Sequence, residues 1–124
     1  MPMTMRVKSG VAAVQSDEPV ITDTQSALDL IAAVKYETGC DCIAVSKSAV
    51  AESFFVLSTG IAGEILQKFV NYHVKLAIIG DFSSYTSKPL RDFIYECNNG
   101  SHVFFAASED EAIRKFIGVT TRGA

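Results

Sequence analysis

Val74-Lys75-Leu76-Ala77-Ile78-Ile79-Gly80 is the stretch on which the fold turns. Apart from Lys75 it is a short apolar run rich in β-branched residues and closed by glycine, which reads as a buried strand. Helical periodicity flanks it on both sides. Upstream, from Gly60 to about Tyr72, the residues Ile61, Ala62, Ile65, Leu66, Phe69 and Val70 fall on one stripe. Glu64, Gln67, Lys68 and Asn71 fall on the other, so one face is buried and the other is wet. Downstream, Asp81-Phe82-Ser83-Ser84-Tyr85-Thr86 leads to a third helix with Ser87 and Pro89 in its first turn and Leu90, Phe93, Ile94 and Cys97 as its apolar stripe.

Further out the same alternation continues. Residues 3 to 8 and 11 to 16 alternate apolar and polar around Lys8-Ser9-Gly10, the pattern of a hairpin with a tight turn. Thr22 or Asp23 caps a first helix running to about Glu37, with Leu28, Ile31 and Val34 inward and Gly39 as its stop signal. Cys42 to Ser46 is a short strand, and Lys47 to Thr59 is an irregular stretch long enough to be functional. Asn98-Asn99-Gly100 ends the third helix and His102 to Ala107 is the last strand. Ser108 and Glu111 then match a capping box before Ala112, Ile113, Phe116 and Ile117.

The order ββαβαβαβα calls for parallel neighbours joined by right-handed crossovers. Strand parity chooses the layering. Ile43, Val45, Val74, Leu76, Ile78, Val103 and Phe105 form a bulky side, whereas Cys42, Ala44, Ser46, Lys75, Ala77, Ile79, His102, Phe104 and Ala106 form a thinner or mixed one. The expectation is a two-layer, mostly parallel five-stranded α/β sheet with helices mainly on one face. Its other face would expose Ala44, Ala77, Ile79 and Phe104, a surface that a homodimer, the N-terminal segment or the tail after Ile117 would cover.

Bulk properties bound the rest. A chain of 124 residues fits one domain spanning 1–124, with 48% apolar and 20% charged residues and no linker-like run. The formal charge of −3, from interspersed acids and bases, gives no footprint for nucleic acid or an anionic membrane. No apolar run spans a bilayer and Met1-Pro2-Met3-Thr4-Met5-Arg6 lacks the apolar core of a leader, so a cytoplasmic location is expected. Cys40, Cys42 and Cys97 are odd in number and lack zinc-ribbon spacing, which reads as reduced, partly buried thiols.

Ligand loops in such a sheet lie at the carboxyl ends of the parallel strands, and hydroxyls cluster there. Ser58, Thr59 and Gly60 stand where a loop enters the second helix, a position whose free N–H groups suit a bound or covalent phosphate as well as an ordinary cap. Ser83, Ser84 and Lys88 follow the next strand, with Asp81 as the best-placed base. Asp81 and Glu64 are a lone carboxylate pair that reads as a turn residue and a solvated helix face before it reads as a metal site, so neither metal nor cofactor is expected. Gly60 and Gly63 lack the lysine of a phosphate loop and the third glycine of a dinucleotide fingerprint. Lys88, Arg91 and Asp92 read as a solvated face.

With Val45-Ser46-Lys47 through Leu57-Ser58-Thr59-Gly60-Ile61 between third strand and second helix, the chain resembles the sulfate-transporter and anti-sigma-factor-antagonist (STAS) domains. Those domains carry an Asp-Ser-Ser/Thr-Gly-aliphatic motif there. The resemblance implies that Ser58 is the phosphoacceptor, with Thr59, Gly60 and Ile61 following it and Leu57 in place of the acidic residue. Gly63-Glu64-Ile65-Leu66-Gln67-Lys68-Phe69, Gly80-Asp81-Phe82-Ser83 and Thr86 through Glu96 are similar to a small bacterial family of unknown function.

The leading expectation is a non-enzymatic regulatory or protein-interaction module, meeting an unidentified protein partner through residues 47 to 60 and the second helix and switched at Ser58 or Thr59. The alternative is an anionic small-molecule binder or enzyme, in which Ser58, Thr59, Ser83, Ser84 and Lys88 bind and Asp81 is the base. A cleft joining Asp81 to the Ser58 loop separates the two.

Overall fold

In the computed structural model, which describes residues 3–123 and the side chains of 3–118, five strands form one sheet in the order β1-β2-β3-β4-β5. The strands are β1 (Thr4–Lys8), β2 (Val11–Gln15), β3 (Cys42–Ser46), β4 (Lys75–Ile79) and β5 (Val103–Ala106). The helices are α1 (Thr24–Thr38), α2 (Ile61–Asn71), α3 (Lys88–Asn98) and α4 (Glu109–Gly123). Met1, Pro2 and Ala124, on which the leader and domain-end expectations also bear, lie outside the described residues.

Local chemistry sets these boundaries. Ser9 (φ 55°) and Gly10 (φ 79°) make a two-residue turn that matches the twist of the β1–β2 hairpin. Asp23 caps α1 by accepting from the Ser26 backbone N–H at 2.8 Å, while the Ser26 hydroxyl accepts from the Asp23 N–H at 3.0 Å. Gly39, at φ 72°, closes the same helix. Ser87 caps α3 ahead of Pro89, and the Ser108 hydroxyl accepts from the Glu111 N–H at 3.1 Å.

The sheet is mixed, where a mostly parallel one was expected: β1 runs antiparallel to β2, and the β2–β3, β3–β4 and β4–β5 pairings are parallel. The order never reverses, so α1, α2 and α3 pack against one face. There Val14, Val45, Ile78 and Phe105 form one cross-strand row and Ala12, Ile43, Leu76 and Val103 the next, beneath Leu30, Ile31, Ile65 and Phe69.

The two-layer expectation is corrected by α4. This helix lies on the opposite face, where Ala112, Ile113 and Phe116 pack with Ala44, Ala77 and Phe104. Phe104 and Phe116 meet edge to face with ring centroids 5.7 Å apart. Registered residues Ala13, Ala44, Ala77 and Phe104 run across four strands, and all four are buried. The thin parity is a close-approach surface for a helix, not an open one: the face expected to be covered by a homodimer, the N-terminal segment or the tail after Ile117 is covered by α4. Arg6–Glu109 at 2.6 Å and Lys8–Asp110 at 3.3 Å tie β1 to the first turn of α4.

Two smaller corrections concern burial. Within α1 the inward residues are Ala27, Leu30, Ile31 and Val34, and Leu28 is only half-buried. The irregular stretch after β3 is a chain of 3-10 turns, Lys47–Ala49, Glu52–Phe55 and Leu57–Thr59, with Phe54 and Phe55 buried in the main core. Nor is it free at its start: the Val20 N–H donates to the Ala49 carbonyl at 2.7 Å and the Ala51 N–H to the Ile21 carbonyl at 2.9 Å.

Candidate functional site

Parallel strands β2, β3, β4 and β5 end on one edge, and each end is followed by a polar residue: Ser16, Lys47, Asp81 and, two residues past β5, Ser108. The register brings Ser46 opposite Ile79, so the next residues along, Lys47 and Gly80, are also neighbours. A Cβ on Gly80 would lie 2.7 Å from Cβ of Lys47, which explains the glycine: the lysine stem lies directly over its backbone. The Lys47 ammonium donates to the Asp81 carbonyl at 3.0 Å and sits 4.4 Å from the Tyr85 ring centroid and 5.6 Å from that of Phe82.

Around that lysine the side chains hold one another. The Tyr85 hydroxyl donates to Glu52 Oε2 at 2.9 Å, and its ring stacks on Phe55 at 5.1 Å. Burial, then the hydrogen bond and charge of Glu52, push the Tyr85 phenol up to about 12. Asp81 Oδ1 accepts from the Ser83 N–H at 2.9 Å, and the Ser83 hydroxyl and N–H hold its carboxyl below the ordinary carboxylate range. Ser48 donates to the Ser16 carbonyl at 2.7 Å and shares a 3.1 Å contact with the Ser46 hydroxyl.

The edge is hollowed by open clefts. One of about 740 Å³ is lined by Asp17, Ser46, Lys47, Ser48, Glu52 and Asp81 among others. A second of about 520 Å³ runs from Asp81 past Phe82, Ser83 and Ile94 to Glu111. A third, also about 520 Å³, lies between Phe82, Tyr85, Arg91, Tyr95 and Asn98.

Of the residues singled out from sequence, the structure brings Asp81 and Ser83 together and sets the others apart. Ser58 is exposed and its hydroxyl has no partner among the described residues. Thr59 donates to the Val56 carbonyl at 2.8 Å and accepts from the Ile61 N–H at 3.2 Å, so its hydroxyl is bound into the turn. Gly60 takes φ 77° at the entry to α2 and offers no side-chain cap. Ser84 is exposed, and Lys88 pairs with Asp92 one turn along α3 at 2.7 Å. None of the three clefts is lined by Ser58, Thr59, Gly60, Ser84 or Lys88.

Sequence reasoning named Lys47 only as a loop residue and gave Glu52 and Tyr85 no role. The usable signal was the equal length of β3 and β4, which places Lys47 beside Gly80. The three cysteines are free and half-buried, and burial pushes the Cys97 thiol up to about 11 and raises that of Cys42, so the neutral thiol dominates at both. Among the described residues no group of three His, Cys, Asp or Glu is arranged to hold a metal ion, and no helix is long and apolar enough to cross a membrane.

Fold and site together define an α/β domain with one sequentially ordered mixed sheet and an open, polar carboxyl edge. The chain belongs to the family of the domain of unknown function DUF4180, which matches residues 6–116. That span takes in β2 to β5 and the last three residues of β1, and it runs to Phe116, which is buried against the sheet. No curated protein matches the chain.

Proposed function

We propose that this chain is a non-enzymatic regulatory or interaction module that meets a protein partner along the carboxyl edge of its sheet. The observation that carries the reading is the mutual engagement of Lys47, Asp81, Tyr85 and Glu52 beside an open cleft. Such an edge is open and accessible, which suits a macromolecular surface better than the enclosure of a small substrate away from water.

Within this reading Ser58 is the switch position, because its hydroxyl is exposed and unengaged while that of Thr59 is bound into its turn. A phosphoryl group there would add about −1.5 to −2 charges at pH 7 beside the entry of α2 and would repel an acidic partner surface. The STAS-like relationship belongs to this proposal. So does the alternative of an anionic small molecule at the same edge, which is favoured by Ser83 and Arg91 lining one cleft.

A photo-crosslinking residue placed at position 52, with one at exposed Tyr36 as the control on α1, tests the edge in cells. The reading expects a discrete protein adduct from position 52 and none from 36. Adducts from both positions or from neither would count against it. Native mass spectrometry of the untagged protein then separates the two readings: phosphate on Ser58 or a bound protein supports the first, and a stoichiometric small ligand the second.

A further inference from the structure

We propose that the carboxyl edge is a groove for an extended, dipolar peptide segment of the partner, taking a basic residue at the Glu52–Asp81 end and an acidic residue at Arg91. This rests on the interaction reading above and adds the chemistry of the occupant.

The three clefts adjoin one another in a row. The first and second share Gly80 and Asp81, and the second and third share Phe82, Ser83 and Ile94. The ends of the row differ in charge. At one, Asp17, Glu52 and Asp81 face a single ammonium, Lys47, whose contacts go to the Asp81 carbonyl and the Tyr85 ring. At the other, the Arg91 side chain makes no ion pair or hydrogen bond among the described residues, and Tyr95 stands 71% exposed beside it. Half-buried Phe82 and Ile94 line the middle.

The row of clefts passes the ends of β2 through β5, three interstrand steps or roughly 14 Å, before it reaches α3. That is room for about four extended residues, and somewhat more to Arg91. A guanidinium free of intramolecular partners gains a charge-assisted pair with an incoming carboxylate without breaking an existing one. An acidic end that is net negative favours ammonium and disfavours phosphate, which turns the choice from nucleic acid to peptide.

Recognition would run through side chains and not through strand addition. Gly80 donates to the Ala106 carbonyl and Leu76 to that of His102, so the even-numbered residues of β5 face β4 and the odd-numbered ones face outward. Of those outward groups, the Phe105 N–H is already held by Asn98 Oδ1 at 2.8 Å and the Ala107 N–H by Glu111 Oε1 at 2.7 Å. The free edge is blunted where an added strand would pair.

The experiment is selection of a displayed random nonapeptide library on the immobilised full chain, followed by affinity measurement of the enriched peptides. The expected peptides carry Lys or Arg and Asp or Glu about four to six positions apart. Arg91→Glu should weaken them at least tenfold and select Lys or Arg in place of the acidic residue. Asp17→Lys should relax the basic preference alone, and both substituted positions are exposed, so folding is unaffected. Peptides that map to this edge by amide chemical shifts but ignore both reversals would overturn the dipolar chemistry and leave the interaction reading standing. No enriched peptide, alongside a crosslinked partner at position 52, would overturn the extended occupant in favour of a folded one. Failure of both experiments removes both proposals.

Discussion

His73 follows α2 with φ 59°, a left-handed conformation that glycine adopts without strain and a side chain does not. The residue is exposed, so little packing is lost on its removal. His73→Gly should therefore stabilise the protein by about 0.5–1 kcal/mol, read as a higher urea midpoint at unchanged slope. No change, or a fall, would mean that the imidazole contributes something its exposure conceals. Nothing in the letters Tyr72-His73-Val74 announces that φ, whereas Gly39 as the stop of α1 and Ser9-Gly10 as a turn were legible because glycine marks such positions directly. Tyr85 offers a second test. Its folded phenol is raised to about 12 above the ordinary value of 10, so the stability this shift represents is fully present below pH 10 and is lost as pH rises from there through 12. Absorbance titration of the protein against Tyr85→Phe should resolve one late-ionising tyrosine, and Glu52→Gln should bring its midpoint back down. The Lys47–Tyr85–Glu52 cluster joins residues far apart in sequence, which is why no local pattern disclosed it.

Among the elements, the stretch between β3 and α2 departs furthest from its reading. With no helical or alternating period it looks like a loop, yet Phe54 is 1% exposed and meets Phe55 edge to face at 5.1 Å. Three single 3-10 turns are too short to impress a period on the sequence, so the burial of its apolar residues was not deducible from spacing. The consequence is energetic: Phe54→Ala should cost about 3–5 kcal/mol, as a large core truncation does, and not the few tenths of a loop change. Chemical denaturation decides between those magnitudes. For α1 the reading from sequence was better, because a cap is a local device: Asp23 with Ser26 forms the reciprocal box, and Asp23→Ala should lower the urea midpoint. The hydrogen bonds from Ser26 also hold the Asp23 carboxyl below its ordinary range, so the contribution is present above about pH 4 and is lost as acidification passes the lowered value.

For the molecule as a whole, the order of elements followed from alternation, and the one-sided placement of α1, α2 and α3 from crossover handedness together with strand parity, but the position of α4 did not. A helix after the last strand of a sheet has no following strand to fix its side, and parity suggested an open face because Ala44 and Ala77, on one side with Cys42, Ser46 and Lys75, make that side thin and mixed. Small residues in register are what allow a helix to lie close, and Ile113 and Phe116 fill the space above them. Three buried side chains, Phe104, Ile113 and Phe116, represent roughly 5 kcal/mol at about 1.5–3 kcal/mol each. That is comparable with the whole stability of a small domain, about 5–15 kcal/mol. Ending the chain after Ser108 should therefore leave β3, β4 and β5 with an uncovered apolar face. In sedimentation the truncated protein should self-associate or unfold and should bind a hydrophobic dye, while the full chain at the same concentration should do neither. A truncated chain that stays monomeric, melts at the same temperature and binds no dye would show that α4 is an appendage, and would return the Ala44–Ala77–Phe104 face to the role of a surface for another molecule.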